Sequence, residues 1–70
     1  MRNRLKAARR AMGLTQQAMA DKLGLNERYY KAIENGEKLG AIWIWDALED
    51  ITGVNQRTLR DCSPDKADNR

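Results

Sequence analysis

The sequence contains no histidine and a single cysteine, Cys62. Those shortages exclude an intramolecular disulfide, a zinc cluster and any histidine-based triad, and they suit a reducing cytosol. Neither a nucleophile paired with a base nor a phosphate loop occurs, so no enzyme activity, cofactor or metal is expected. Long apolar runs are equally scarce. The longest, Ala41 to Trp45, is too short for a signal peptide or a membrane span, and the expectation is a soluble, cytoplasmic protein without a membrane partner. Seventy residues make one domain near the lower limit at which a single core supports a fold, which leaves no space for a small-molecule pocket.

What is present begins with charge. The net charge is +3, and Arg2, Arg4, Lys6, Arg9 and Arg10 place five cations in the first ten residues with no acid among them. Further along, Asp46, Glu49 and Asp50 are acidic, so opposite faces of a small domain carry opposite sign. Such a basic end is either a solvated face or a site for an anion.

Apolar spacing reads as helix. Asn3 to Met12 repeats Leu5, Ala8, Arg9 and Met12 on one side, and Gly13 closes it. Arg9 falls on the side away from solvent. Thr15 caps a second helix with Ala18, Met19, Ala20 and Leu23 on its inner face, and Gly24 ends that helix in a left-handed turn. Asn26 caps a third, Glu27 to Asn35, which buries Tyr30 and Ile33 and turns Glu27, Arg28, Lys31 and Ala32 outward, with Tyr29 also exposed. After the Glu37 to Gly40 connector, Ile42-Trp43-Ile44-Trp45 has strand propensity, but Trp45, Leu48 and Ile51 or Thr52 continue at helical spacing. We therefore expect a fourth helix over Ala41 to Thr52 with Trp45 inside and Trp43 at or near the surface. Asn55 caps a short last helix with Leu59 inward. From Cys62 the composition turns polar around Ser63-Pro64, so residues 1–61 are expected to form the domain and 62–70 a disordered tail.

The paired second and third helices carry a resemblance. Leu14-Thr15-Gln16, Met19-Ala20, Leu23-Gly24-Leu25 and Ile33-Glu34-Asn35-Gly36 are similar to the pattern of phage repressor and Cro type (XRE-like) helix-turn-helix proteins, and the LEDITGVNQRTLR run resembles a phage-associated branch. The resemblance implies an all-α, five-helix lambda-repressor-like DNA-binding domain whose third helix enters the major groove, a docking geometry known for such repressors. It also implies an ion pair between Arg9 and Glu34, and a Gln16 bonded to a backbone phosphate.

Groove chemistry then selects residues, because only base edges in the major groove distinguish all four base pairs. Arg28 suits guanine, Glu27 suits a cytosine amino group, Ala32 suits a thymine methyl, and Lys31 stands beside them. Asn26 serves its own helix cap or a phosphate. Tyr29, Asn35, Lys38, Arg2 and Arg4 are further phosphate candidates. The functional expectation is a sequence-specific double-stranded-DNA-binding regulator, a repressor of prophage or mobile-element type. A protein-interaction module, such as an antitoxin or adaptor on the same scaffold, is the alternative. Two copies would meet a pseudo-palindromic operator as a weak homodimer formed on DNA, and family analogy places the dimer surface at Gln56, Arg57 and Arg60.

Overall fold

A computed structural model describes residues 1–61. Five helices follow one another: α1 (Asn3–Ala11), α2 (Gln16–Leu23), α3 (Glu27–Asn35), α4 (Ile42–Thr52) and α5 (Gln56–Arg60). There is no strand among the described residues, and the all-helical expectation holds. The expected tail of residues 62–70, with Cys62, lies outside the described residues.

Local chemistry sets most of the boundaries. Thr15 accepts from the Ala18 N–H at 3.0 Å, Asn26 from Tyr29 N–H at 2.8 Å and Asn55 from Arg57 N–H at 2.8 Å. Each cap satisfies an N–H that the helix cannot, worth about 1 kcal/mol. Between α2 and α3 the chain turns through Gly24, at φ 75°, and the Leu25 N–H returns to the Ala20 carbonyl at 2.9 Å. Any side chain at Gly24 would strain this turn. The start of α4 has no side-chain cap at Ala41.

Packing follows from the buried faces. α2 lies mainly on α3, while α5 bridges α1 and α4. Leu5, Met19, Leu23, Tyr30, Ile33, Ile44, Trp45, Leu48 and Leu59 meet in one core, and each large apolar side chain so buried contributes roughly 1.5–3 kcal/mol. Two details differ from the sequence reading. Met12 remains exposed because α1 ends one residue before it, and Tyr29 is half-buried against the core rather than exposed. On α4, Trp45 is 1% exposed and Trp43 53%. Ile44, which the spacing argument passed over, is buried beside Trp45.

Candidate nucleic-acid interface

The inner side of α3 is held by a polar network centred on Glu34. Arg9 Nε donates to Glu34 Oε2 at 2.8 Å and its Nη2 to Oε1 at 3.3 Å. Tyr30 Oη donates to the same carboxylate at 2.8 Å, and Gln16 Nε2 at 2.9 Å. A third guanidinium donor of Arg9 reaches the Leu14 carbonyl at 2.7 Å. Four donors from three side chains thus converge on one buried carboxylate, linking α1 and α2 to α3.

Protonation records the same geometry. Burial alone would raise the Glu34 carboxyl, but hydrogen bonds from Arg9, Tyr30 and Gln16 outweigh it and hold the group below its ordinary value. The hydrogen bond to Glu34 raises Arg9 against the opposing effect of burial. Burial, then the hydrogen bond to Glu34, pushes the Tyr30 phenol up. A depressed carboxyl stabilises the fold fully above its unfolded pKa of about 4.3, and that contribution is lost as pH falls through the folded value. The raised phenol acts in the opposite sense, fully present below about 10 and lost as pH climbs beyond it. With no histidine in the chain, melting temperature should be nearly flat from about pH 6 to 8 and fall on both sides. A marked slope inside that window would contradict this assignment.

The outer side of α3 is different. Asn26, Glu27, Arg28, Tyr29, Lys31, Ala32, Asn35 and Lys38 line one open concavity together with Glu37, so the residues singled out on α3 and beside its two ends share a surface. Arg28 is exposed and has no hydrogen-bond or ion-pair partner among the described residues. Lys31 Nζ stands 3.7 Å from Glu27 Oε2, one turn away, a contact too loose and exposed to hold either side chain. Asn26 spends its carbonyl oxygen on the cap and keeps its amide donor.

Around the rim the structure redistributes the expected phosphate contacts. Arg2 is not available. Its guanidinium is buried, donating from Nη1 to the carbonyls of Ile33 and, at 3.0 Å, Lys38, and from Nε to the Arg60 carbonyl at 3.1 Å. Its centre lies 5.1 Å from the Trp45 ring centroid, and its backbone N–H bonds the Glu34 carbonyl at 2.8 Å. The C-terminal ends of α3 and α5 converge there, α3 has no basic residue in its last turn, and their carbonyl dipoles hold the cation that solvent would otherwise take. Gln16 has one amide donor engaged by Glu34, leaving the second, beside the first-turn N–H groups of α2 that the Thr15 cap does not take, for an anion. Arg4 pairs with Asp61 at 3.1 Å on the surface. At the expected dimer surface, the Gln56 amide donates to Asp46 at 2.7 Å and Glu49 at 3.1 Å, tying α5 to α4.

Among the described residues no cluster of three or more acidic or cysteine side chains could hold a metal ion, and no helix is long and apolar enough to cross a membrane. A family model described as helix-turn-helix matches residues 5–39, half of the chain. Neither a curated protein nor a solved structure matches it.

Proposed function

We propose, from the premise that this chain belongs to the DNA-binding helix-turn-helix family, that it is a sequence-specific double-stranded-DNA-binding repressor of phage or mobile-element type. The observation that carries this reading is the outer face of α3, where Arg28 and Lys31 stand exposed over a concavity, free of structural duty. A guanidinium there offers the two parallel donors that guanine accepts in the major groove. Asn26, Asn35, Lys38 and the N-terminus of α2 flank it with donors for the phosphates. Two copies on a pseudo-palindromic operator, in a cytoplasmic setting and without cofactor or small-molecule ligand, complete the reading.

Arg28→Ala should weaken binding to the preferred site by about 1–3 kcal/mol and change random-sequence DNA little. Gln16→Ala should weaken both DNAs alike and, by deleting a hydrogen bond to Glu34, lower stability by about 1–2 kcal/mol. Titrations of labelled duplexes carrying the preferred site or a random sequence separate the two, since a base contact acts on one sequence and a phosphate contact on all of them. Equal losses from both variants on every sequence would defeat the division of roles. One observation favours the alternative of an antitoxin or adaptor, the exposed Trp43. Affinity for DNA that is absent, or indifferent to salt, would select that alternative.

A further inference from the structure

Arg2 reaches the candidate interface from behind. The chain leaves α3 through Gly36, at φ 87°, and on the N–H side this turn closes on one acceptor, the Ala32 carbonyl, which takes the Glu37 N–H at 2.9 Å and the Lys38 N–H at 3.3 Å. On the carbonyl side it closes on one donor. Arg2 Nη1 donates to the carbonyls of both Ile33 and Lys38, so a single guanidinium nitrogen clasps the last turn of α3 to the connector. The Arg2 N–H adds a bond to the Glu34 carbonyl at 2.8 Å. Asn35 and Lys38, the phosphate candidates at this end of the concavity, both lie within the clasped span.

We propose that Arg2 is a positioning residue of the interface: it touches no DNA itself, but fixes the backbone from which Lys38 reaches a phosphate. The proposal rests on the DNA-binding reading. Lys38 is exposed and its ammonium has no partner among the described residues, so where it stands is decided by its backbone alone. That backbone has few other ties. α3 packs mainly on α2 and α1, the bond from the Lys38 N–H to Ala32 is the longer of the pair, and Trp45 Nε1 takes hold only one residue further on, at the Leu39 carbonyl, 2.7 Å away.

Arg2, by contrast, is held firmly. It is 5% exposed, its Nε donates to the Arg60 carbonyl at 3.1 Å, and its guanidinium lies over the Trp45 ring. A planar fork fixed in this way keeps separate acceptors at a constant spacing, which a solvated cation or a single ammonium cannot do. Without the clasp, Lys38 would sample many positions, and every encounter with DNA would carry the entropy cost of ordering the connector. An arginine out of reach of DNA would then affect phosphate binding through the residue it holds.

The test is a double-mutant cycle of Arg2→Ala and Lys38→Ala, titrated against a labelled duplex that the unaltered protein enriches from a random pool and against a random duplex. Work at low temperature, with folded protein counted by circular dichroism, separates binding from stability. Lys38→Ala should lower affinity for both duplexes about threefold to tenfold and reduce the slope of log affinity against log salt by about 0.9, one phosphate's share. Arg2→Ala should do the same to the folded protein, and the double variant should fall within about twofold of Arg2→Ala alone, because the contact is already lost. Arg2→Lys keeps the charge without the fork and should recover only part of the affinity; if Arg2→Ala is too little folded to titrate, Arg2→Lys takes its place in the cycle. Leu48→Ala, a core truncation that leaves the clasp intact, should keep the affinity of the folded protein within about twofold. Losses that multiply in the double variant, a parental salt slope in Arg2→Ala, full recovery in Arg2→Lys or a Leu48→Ala loss equal to that of Arg2→Ala would each overturn the proposal. So would a Lys38→Ala variant that binds like the parent, and in all these cases the unaltered protein still binds its duplex. Failure of the unaltered protein to enrich any duplex is the separate result that removes the DNA-binding reading and the proposal with it.

Discussion

Glu34→Ala is expected to destabilise the domain by about 3–5 kcal/mol, the cost of stranding a buried charge. Arg9 would keep its place between α1 and α3 with no carboxylate, and Tyr30 Oη would lose its acceptor. At roughly 0.05–0.15 kcal/mol per residue a domain of this size holds about 3.5–10 kcal/mol in all, so the variant should lose a large share of its stability and melt far below the parent. Arg9→Ala should cost nearly as much, because it leaves Glu34 as the unpaired member. Removing both charges together, as Arg9→Met with Glu34→Leu, should recover part of the loss, since buried pairs gain little over well-packed apolar side chains while Tyr30 Oη still lacks its acceptor. Urea denaturation of the three variants decides it. Single variants within about 1 kcal/mol of the parent would show that the network contributes little.

The second large effect is expected at Arg2. Arg2→Ala removes a guanidinium that donates to three carbonyls and covers the Trp45 ring, and about 2–4 kcal/mol of stability should go with it, less than three such bonds at about 1.5–3 kcal/mol each would sum to, because the part-buried carbonyls of Lys38 and Arg60 can turn to water. Arg2→Lys should restore only part, because a single ammonium cannot reproduce a planar fork spanning separate acceptors. Near 70 residues each kcal/mol moves the melting temperature by about 4–8 °C, so the loss is easily measured. Were Arg2 a phosphate contact instead, the alanine variant would melt with the parent and show a salt slope smaller by about one.

The contrast between Arg9 and Arg2 shows what a sequence conveys and what it withholds. Arg9 stands in register with Leu5 and Ala8 on an amphipathic helix, so its inward direction follows from spacing, and its partner Glu34 from the family pattern. Arg2 precedes that helix and has no register. Its acceptors belong to residues 33, 38 and 60, brought together only by the tertiary fold, and a cation near a chain start otherwise reads as solvated. Helix limits were legible wherever a side chain or glycine marks them, at Thr15, Gly24, Asn26 and Asn55. At α4 the polar marker is missing, and the alternation of isoleucine and tryptophan hid the burial of Ile44 beside Trp45. The residues proposed to touch DNA were legible in a narrower sense. Spacing placed Arg28 and Lys31 outward, whereas the diversion of Gln16 toward Glu34 depends on how α2 crosses α3.

The two sides of α3 carry separate obligations, and this bears on how the protein can change over generations. Tyr30, Ile33 and Glu34 face the core and its polar network, and any replacement there is tested first by whether the chain still folds. Arg28 and Lys31 bear on almost nothing inside the molecule, so substitutions there should shift stability by no more than about 0.5 kcal/mol. A lineage could therefore revise the outer surface one residue at a time, each intermediate as well folded as its parent, while the scaffold stays under constant constraint.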